Sequence, residues 1–390
     1  MPTFSKRLFL VILVIVLALF VIIPGVLYFV GLGLPGASQT PDRGALGSGG
    51  LLISRDSGES WAKADTPENK REKVPTKILN VYFHPTNPNT VYLGTKSSGL
   101  WKSSNSGDTW QRVTDKTGTL KPASDVYKIS ISRQNTKVIY LAVYQDSRGR
   151  VLRSSDGGDS FTEIYFVNTK GYGIFDLYAS GYNADTVYVT TGQGGFFETV
   201  NGGKTWRVKK WFGESLIRLL VNPRAESEMY LVTSSFLILK TLDTGENWTD
   251  ISTQIAADLQ ATYQQTGSKD LFTLKGSPFS FRRNIESLAM SPLAPGLLYV
   301  GFPNLIARSF NGGGSWQNLQ IPLPPDTSDL STVVLNPKNS DNLFVGAGYQ
   351  LYKSADQGIH WKIISLPSSR KIKTIYINPL KPDLMLAVFQ

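Results

Sequence analysis

The sequence predicts an all-β protein, a seven-bladed β-propeller closed by pairing of its N- and C-terminal strands and preceded by one N-terminal transmembrane helix. One eight-residue phrase occurs seven times, and the ends of the folded region each supply half of a four-stranded unit; both observations predict the propeller. A long apolar run near the N-terminus predicts the membrane helix.

The repeated phrase reads Ser/Thr-x-Asp/Asn-x-Gly-x-x-Trp/Phe. Its third positions are Asp56, Asn105, Asp156, Asn201, Asp243, Asn311 and Asp356. Successive copies are 42 to 51 residues apart, except for one longer interval between Asp243 and Asn311. Such spacing is typical of propeller blades and exceeds that of most helical repeats.

The residue types of the phrase predict a tight turn. An Asp or Asn side chain can accept hydrogen bonds from backbone N–H groups a residue or two ahead, and Gly adopts positive φ without steric cost. The final aromatic residue buries apolar surface where the next strand begins. Six of the eight tryptophans occupy this last position, so we interpret them as structural.

Strand patterns around each turn predict a four-stranded unit. Before Asn105, alternating apolar segments run from Ile78 to Phe83, from Val91 to Gly94 and from Gly99 to Lys102. The same order recurs before Asp243 and Asp356, and six complete units result.

The seventh unit is divided between the ends of the folded region. Ile372 to Ile377 and Leu384 to Val388 supply its first two strands, whereas Leu51 to Ile53 and the first turn supply the rest. We expect these halves to pair and to close the ring, since closure leaves no free sheet edge. The predicted propeller therefore spans residues 51–390.

Residues 8–30 are almost continuously apolar and long enough to span a bilayer, so we predict a transmembrane anchor. A long signal sequence is the alternative, although secretory apolar cores are shorter. Lys6 and Arg7 predict a cytoplasmic N-terminus at residues 1–7. The Gly- and Pro-rich residues 31–50 then form a flexible linker, with the propeller on the extracytoplasmic side of a bacterial cell envelope.

The chain has no cysteine, which excludes disulfides and attachment of lipid to an N-terminal Cys. A net charge of +10 is compatible with nucleic-acid binding, but five blades carry a base at one equivalent strand position, so the charge is spread around the body. These bases are Lys102, Arg153, Lys240, Arg308 and Lys353. We predict no nucleic-acid partner; attraction to anionic lipid or acidic glycan remains compatible with the composition.

The turn phrases lie on one face of the disc, so we expect ligands on the other face, which has irregular loops. Two loops there predict a protein- or glycan-binding surface, and the candidate residues are Lys209, Lys210, Trp211, Phe212, Arg282 and Arg283. Trp211 could instead pack over its own blade. The insertion from Ser252 to Asn284 carries Ile255, Leu259 and Tyr263 at helical spacing, which predicts a short helix over the disc, either a structural lid or a partner site.

One position of each first strand is polar in every blade and is predicted to line the central channel. This ring consists of Asn80, Lys128, Asp176, Arg218, Ser287, Thr332 and Thr374. Asp176 lies between two bases and is more typical of a compensated ion cluster than of an acid–base pair. Glu214 and Glu286 lie near the same rim, so a carboxyl pair stays open. No metal site, cofactor or catalytic residue is assigned.

The repeated phrase resembles the Asp-box, or BNR, repeat over Leu51 to Gln390. With a box in every blade and second strands such as Val91 to Thr95, the chain is most similar to the sortilin N-terminal domain and to photosystem II assembly factor propellers. That resemblance implies protein binding without catalysis. Sialidases share the boxes but require an Arg-Ile-Pro motif that is missing here, and xyloglucan-type hydrolases have two such rings.

We therefore expect a membrane-anchored, extracytoplasmic, non-catalytic protein- or glycan-binding or assembly scaffold. The alternative is a glycoside hydrolase, sialidase-like or xyloglucanase-like, that acts on extracellular glycans with Asp176, Glu214 or Glu286 as its acids.

Overall fold

The computed structural model describes residues 50–266, 285–324 and 330–390. Within these ranges, no helix has the length and apolar character that crossing a membrane requires. The predicted membrane segment 8–30 lies outside the described residues, as do Arg282 and Arg283.

The described strands form seven four-stranded antiparallel sheets, which confirms the prediction of an all-β, seven-bladed propeller. The chain enters through β1 (Leu51–Ser54) and β2 (Ala62–Lys63), which belong to the sheet called blade 7 here. Blade 1 contains β3 (Ile78–Phe83), β4 (Val91–Thr95), β5 (Leu100–Ser103) and β6 (Gln111–Arg112). Blade 2 contains β7 (Asp125–Ile131), β8 (Ile139–Gln145), β9 (Arg148–Ser154) and β10 (Thr162–Phe166).

The next four blades follow in chain order. Blade 3 contains β11 (Ile174–Ala179), β12 (Val187–Thr191), β13 (Gly195–Thr199) and β14 (Arg207–Trp211). Blade 4 contains β15 (Leu216–Val221), β16 (Met229–Thr233), β17 (Ile238–Thr241) and β18 (Thr249–Asp250), and the helix α1 (Ser252–Thr266) follows it. Blade 5 contains β19 (Ser287–Met290), β20 (Leu298–Gly301), β21 (Ile306–Ser309) and β22 (Gln317–Leu319). Blade 6 contains β23 (Leu330–Asn336), β24 (Asn339–Ala347), β25 (Gln350–Ser354) and β26 (Lys362–Ser365).

Blade 7 combines strands from both ends of the described chain. Its order is β2, β1, β28 (Met385–Phe389) and β27 (Ile372–Ile377). β1 and β28 pair antiparallel, with Leu51 opposite Val388 and Ile53 opposite Leu386. These two strands are buried throughout and apolar except for Ser54, so the pairing contributes to the core as well as to the sheet.

The hydrophobic core lies between neighbouring blades. Ile53 and Leu386 of blade 7 share one buried cluster with Val81 and Leu93 of blade 1. Tyr92 and Leu100 of blade 1 likewise pack with residues of blade 2. The second strands are therefore buried on both faces, which explains why they are apolar at successive positions.

The turn phrases adopt the predicted tight turn. In the first copy, Gly58 has a φ of 85° and its N–H donates to Ser54 Oγ at 2.8 Å. Asp56 Oδ1 accepts from Ser60 N at 2.9 Å, four residues ahead and so further along the chain than we predicted. The remaining copies repeat the Gly N–H bond to the initial hydroxyl at 2.7 to 3.0 Å.

Three of the five bases that precede a phrase bind the turn phrase of the following blade. Lys240 Nζ donates to Gly312 O at 2.8 Å, and an Arg308 guanidinium N–H donates to Gln357 O at 2.9 Å. Lys353 makes the same contact from blade 6 to blade 7. These three positive charges therefore hold neighbouring blades together.

The insertion after blade 4 does form a helix, α1, but its described contacts lie at the outer flank of the molecule. Ile255 and Leu259 are buried against a cluster that includes Trp316 of blade 5. Asp258 Oδ2 accepts from Trp316 N at 2.8 Å, and α1 packs on β22, the outermost strand of that blade. A place over the disc was predicted; the helix instead covers the side of blades 4 and 5.

Candidate functional site

The mouth of the central channel is the candidate site. In six blades the pairing of the first two strands shifts register at the channel position, as between Ile78 and Asn80 or between Leu216 and Arg218. In blade 5, both Glu286 N–H and Ser287 face Gly301. The bulged residues form a second set around the mouth: Leu79, Tyr127, Phe175, Ile217, Glu286, Ser331 and Lys373.

Most channel side chains connect the first strands of adjacent blades. Asn80 Oδ1 accepts from Ile129 N of blade 2 at 3.2 Å, and Ser287 Oγ accepts from Val333 N of blade 6 at 3.1 Å. The Thr332 and Thr374 hydroxyls lie 3.4 Å apart. A first strand has no further strand to pair with on its inner side, so these side chains satisfy N–H groups that would otherwise lack partners.

Asp176 is the most strongly bound member of this set. Its carboxylate accepts from Leu177 N at 2.9 Å and from Leu219 N of blade 4 at 3.0 Å, and Oδ1 lies 2.8 Å from Lys128 Nζ. The residue is 5% exposed. These partners fix the carboxylate in place, so Asp176 joins blades 3 and 4.

Two other carboxyls lie at the mouth, before neighbouring first strands. Burial raises the pKa of Glu286, an effect that the nearby positive charge of Arg218 opposes. Burial also raises the pKa of Glu214, but hydrogen bonds from Ser235 and its neighbours outweigh this and hold it below its ordinary value. The pKa values of the two carboxyls are thus displaced in opposite directions.

Two of the bulged residues are aromatic. Tyr127 of blade 2 and Phe175 of blade 3 are bulged residues with rings in edge-to-face contact, 5.5 Å between centroids. Both are partly exposed at the mouth. Exposed ring faces next to carboxyls can hold the apolar face of a sugar ring.

The predicted surface around Trp211 separates into different environments. Trp211 is 54% exposed at the end of β14, and its ring contacts Phe197 edge to face at 5.5 Å. Lys210 is exposed beside it, whereas the side chain of Lys209 is 3% exposed and ion-paired with Glu246. Phe212 packs on Trp248 in the core between blades 3 and 4. Trp211 and Lys210 are the exposed residues among these four.

A groove of about 380 Å³ runs along the neighbouring outer strand β10, lined by residues from Glu163 to Asn168. Tyr165 of this strand contacts Phe197 at 5.2 Å between centroids, so one aromatic series connects the groove with Trp211. Within the described part of the chain, no three His, Cys, Asp or Glu residues are grouped closely enough to hold a metal ion.

Known proteins share both the repeat and the fold. The sortilin and neurotensin receptor 3 family, Sortilin-Vps10, matches residues 49–148. A solved YCF48 from Cyanidioschyzon merolae superposes with a TM-score of 0.58 at 14% identity, over 80% of this chain and 95% of that one. The chain is a seven-bladed Asp-box propeller. The resemblance to sortilin-type and photosystem II assembly factor propellers that the sequence predicts is confirmed.

Curated relatives found by sequence are hydrolases by name. A xyloglucanase from Hypocrea jecorina is 32% identical over 40% of this chain and 18% of its own length, and one from Paenibacillus sp is 29% identical over 30% and 13%. The crystal structure of a xyloglucanase from Xanthomonas campestris matches with a TM-score of 0.60 at 14% identity, over 80% of this chain and 50% of that one. The propeller therefore spans less than a fifth of these curated relatives.

These relatives overturn the prediction of a non-catalytic scaffold. That prediction depended on the resemblance to binding propellers, but the matched curated proteins are named xyloglucanases. The hydrolase alternative is better supported. The Asp-box could not distinguish the two, because it forms a structural turn away from the channel mouth.

The sequence interpretation missed the bulged set around the mouth. Tyr127, Phe175 and Lys373 each directly precede a channel residue, so the same alignment of first strands, moved by one position, contains them. The signal is weak because these positions share no residue type, and the bulge that exposes them has no sequence signature of its own.

Proposed function

We propose that the chain is a glycoside hydrolase that acts on extracellular glycans of the β-glucan class, with its site at the channel mouth. Glu286 acts as the general acid and Glu214 as the ionised carboxylate. The observation that carries the proposal is the position of these two carboxyls just before neighbouring first strands, where burial raises the pKa of Glu286 and hydrogen bonds lower that of Glu214. The similarity to xyloglucanases supports the same class of substrate.

Each residue has a distinct task in this mechanism. Glu286 protonates the glycosidic oxygen as the bond to the anomeric carbon breaks, and Glu214 stabilises the positive charge on the sugar or activates water. Tyr127 and Phe175 hold the sugar ring that enters the mouth. Asp176, which we considered as an acid from the sequence, has a positioning role instead, because it fixes the strands that carry the other groups.

The proposal includes the setting of the propeller. Residues 8–30 anchor the chain in a membrane, residues 31–50 form a tether, and the propeller faces the extracytoplasmic side. Blade 7 closes the ring through β1 and β28. A rigid closed body would keep the two carboxyls at the mouth at a fixed separation, while the tether lets the site reach a polymer.

A hydrolysis assay tests the proposal. Full-length protein in detergent is incubated with xyloglucan, a linear β-glucan and a sialoside, and released reducing ends are measured. We expect turnover of a β-glucan-class substrate, loss of at least about a thousandfold in kcat for Glu286→Gln, and little change for Glu68→Gln, an exposed residue before blade 1. Absence of turnover on all three substrates would overturn the proposal.

A further inference from the structure

The channel side chain of blade 4 cannot accept a hydrogen bond from the first strand of the next blade, as the channel side chains of several other blades do. In those cases, the residue after the channel position donates its N–H to an oxygen of the preceding blade, as Ile129 does to Asn80 and Val333 to Ser287. Arg218 occupies the channel position of blade 4 and carries only donors. It therefore cannot accept the equivalent N–H of blade 5.

That equivalent donor is Leu288 N–H. Ser291 N donates to Leu297 O at 3.0 Å, and hydrogen-bonded pairs alternate along antiparallel strands, so Leu288 and Val300 form a non-hydrogen-bonded pair. The N–H of Leu288 then points away from β20, toward the channel side. Among the described residues, no side-chain oxygen accepts it. The corresponding N–H groups of blades 2, 3, 4 and 6 each donate to one, in blade 3 to Asp176 of the same blade, whereas those of Val81 in blade 1 and Ile375 in blade 7 donate to none of the described channel side chains either.

Arg218 is the base at this place that an anion could reach. Lys128 is compensated by Asp176 at 2.8 Å, whereas Arg218 is exposed and forms no ion pair within the part of the chain that the structure describes. Lys373 lies at the same mouth and donates to Ile78 O at 2.9 Å. Glu286 is the acid whose titration Arg218 affects. With Asp176 compensated, the mouth holds Arg218 and Lys373 against Glu214 and Glu286, and Glu214 already accepts the N–H of Ser235 at 2.8 Å.

We infer that Arg218 and the N–H of Leu288 together bind a carboxylate at the channel mouth, between blades 4 and 5. A guanidinium and a backbone N–H side by side match the two oxygens of a carboxylate. On glycans, that group is the carboxylate of a uronic-acid unit. A preference for uronate-bearing glycans as substrates rests on the proposed hydrolase function; the carboxylate site itself does not.

Calorimetric titration of the full-length protein tests the site without requiring turnover. The probes are a β-1,4-linked glucose tetrasaccharide and the same tetrasaccharide with one glucuronic-acid unit. A hydrogen bond to a charged group contributes about 1.5–3 kcal/mol, so we expect the acidic probe to bind at least about tenfold more tightly. Equal affinities would overturn the inference.

Arg218→Asn is the decisive variant, because it places at blade 4 the side chain that Asn80 contributes at blade 1. Its amide oxygen can accept Leu288 N–H, so the thermal midpoint should be maintained while the preference for the acidic probe disappears. Arg55→Gln, which removes an exposed guanidinium on the turn face, should keep the preference. Retention of the full preference in Arg218→Asn would also overturn the site.

The hydrolase proposal fails separately. A uronate preference in binding without turnover of any glycan would support the site and count against the enzyme. Turnover of neutral β-glucan without a uronate preference would support the enzyme and overturn the site.

Discussion

Lys353 Nζ lies 3.0 Å from the backbone oxygen of Ser57 and 2.7 Å from Glu59 Oε1, and so ties blade 6 to the first turn of the described chain. The same ammonium group lies 5.8 Å from the ring centroid of Phe344. Because its side chain is only 17% exposed, these contacts form in a partly desolvated place where a charged hydrogen bond is stronger than at the surface.

Replacing Lys353 should weaken the contact between blades 6 and 7. We expect Lys353→Met, which keeps the length of the side chain, to lower the free energy of unfolding by about 1.5–3 kcal/mol, because Ser57 O and Glu59 lose a charged donor. Lys362→Met is the matched control: Lys362 binds the same Glu59 but is 63% exposed, so it should cost under about 1 kcal/mol. Equal losses in urea denaturation would contradict the assigned role.

Acid should weaken the turn phrases that carry Asp. Hydrogen bonds from the hydroxyl and N–H of Ser60 lower the pKa of Asp56 from 3.8 to about 2. Hydrogen bonds to Asp243, chiefly from Asn247 N–H, lower the pKa of that carboxyl to about 2 as well. A carboxyl with a depressed folded pKa stabilises the fold above its unfolded pKa and loses this contribution as pH falls through the folded value. We expect urea midpoints to fall between about pH 4 and about pH 2.

Asn variants check this origin. Asp56→Asn supplies the side chain found at Asn105, which makes the equivalent bond to Thr109 N at 2.9 Å. The double variant Asp56→Asn/Asp243→Asn should lose less stability over that pH window than the wild type. An unchanged slope would place the acid sensitivity elsewhere in the molecule.

Asp176 should prove structural. Asp176→Ala leaves the N–H groups of Leu177 and Leu219 without acceptors and Lys128 without its counter-charge, so we expect a loss of about 3–5 kcal/mol in the free energy of unfolding. Lys128→Met/Asp176→Asn removes both charges and should recover part of this loss. If Asp176→Ala were as stable as the wild type and only inactive, the residue would be catalytic instead.

The pH profile of hydrolysis should have two limbs. Activity should decline as pH rises through the raised pKa of Glu286, which must be protonated, and as pH falls through the lowered pKa of Glu214, which must be ionised. An aryl glycoside with a good leaving group needs no proton donor. On that substrate, Glu286→Gln should stay active and lose the alkaline limb of kcat/KM; persistence of that limb would assign the acid to another group.

Trp211 should contribute more to glycan retention than to stability. The ring is 54% exposed and makes one edge contact with Phe197, so Trp211→Ala should cost about 0.5–1.5 kcal/mol. In gels that contain xyloglucan, we expect the variant to migrate faster than the wild type. Trp206→Ala is the contrasting variant, because Trp206 packs on Tyr165 and should mainly lower stability.

The regular parts of this molecule were predictable because each obeys a local rule. The sequence bounds Ile78 to Phe83 and Ile372 to Ile377 coincide with β3 and β27, since alternating apolar residues and Pro-containing turns fix both ends. The glycines of the turn phrase have positive φ in every copy, as the phrase requires.

The site was harder to predict because its determinants are contacts between distant residues. The ring of polar positions was found from the sequence. Which of its members connect two blades, and which, like Arg218, do not, depends on the N–H group that each side chain meets in the folded protein. Lys209 was assigned to a ligand surface from composition; its ion pair with Glu246, 37 residues away, removes its charge from that surface. The presence of a charged residue in a strand sequence does not specify which residue of opposite charge pairs with it in the fold.

The lysines that join one blade to the next also allow local unfolding to be followed by chemical labelling of amines. Lys240 and Lys353 are only 18% and 17% exposed, and their ammonium groups are occupied by backbone oxygens. An acylating reagent that labels free surface lysines would reach these two only when adjacent blades separate. Their labelling rates, compared by mass spectrometry with that of exposed Lys362, would therefore time the opening of individual blade junctions before the whole protein unfolds.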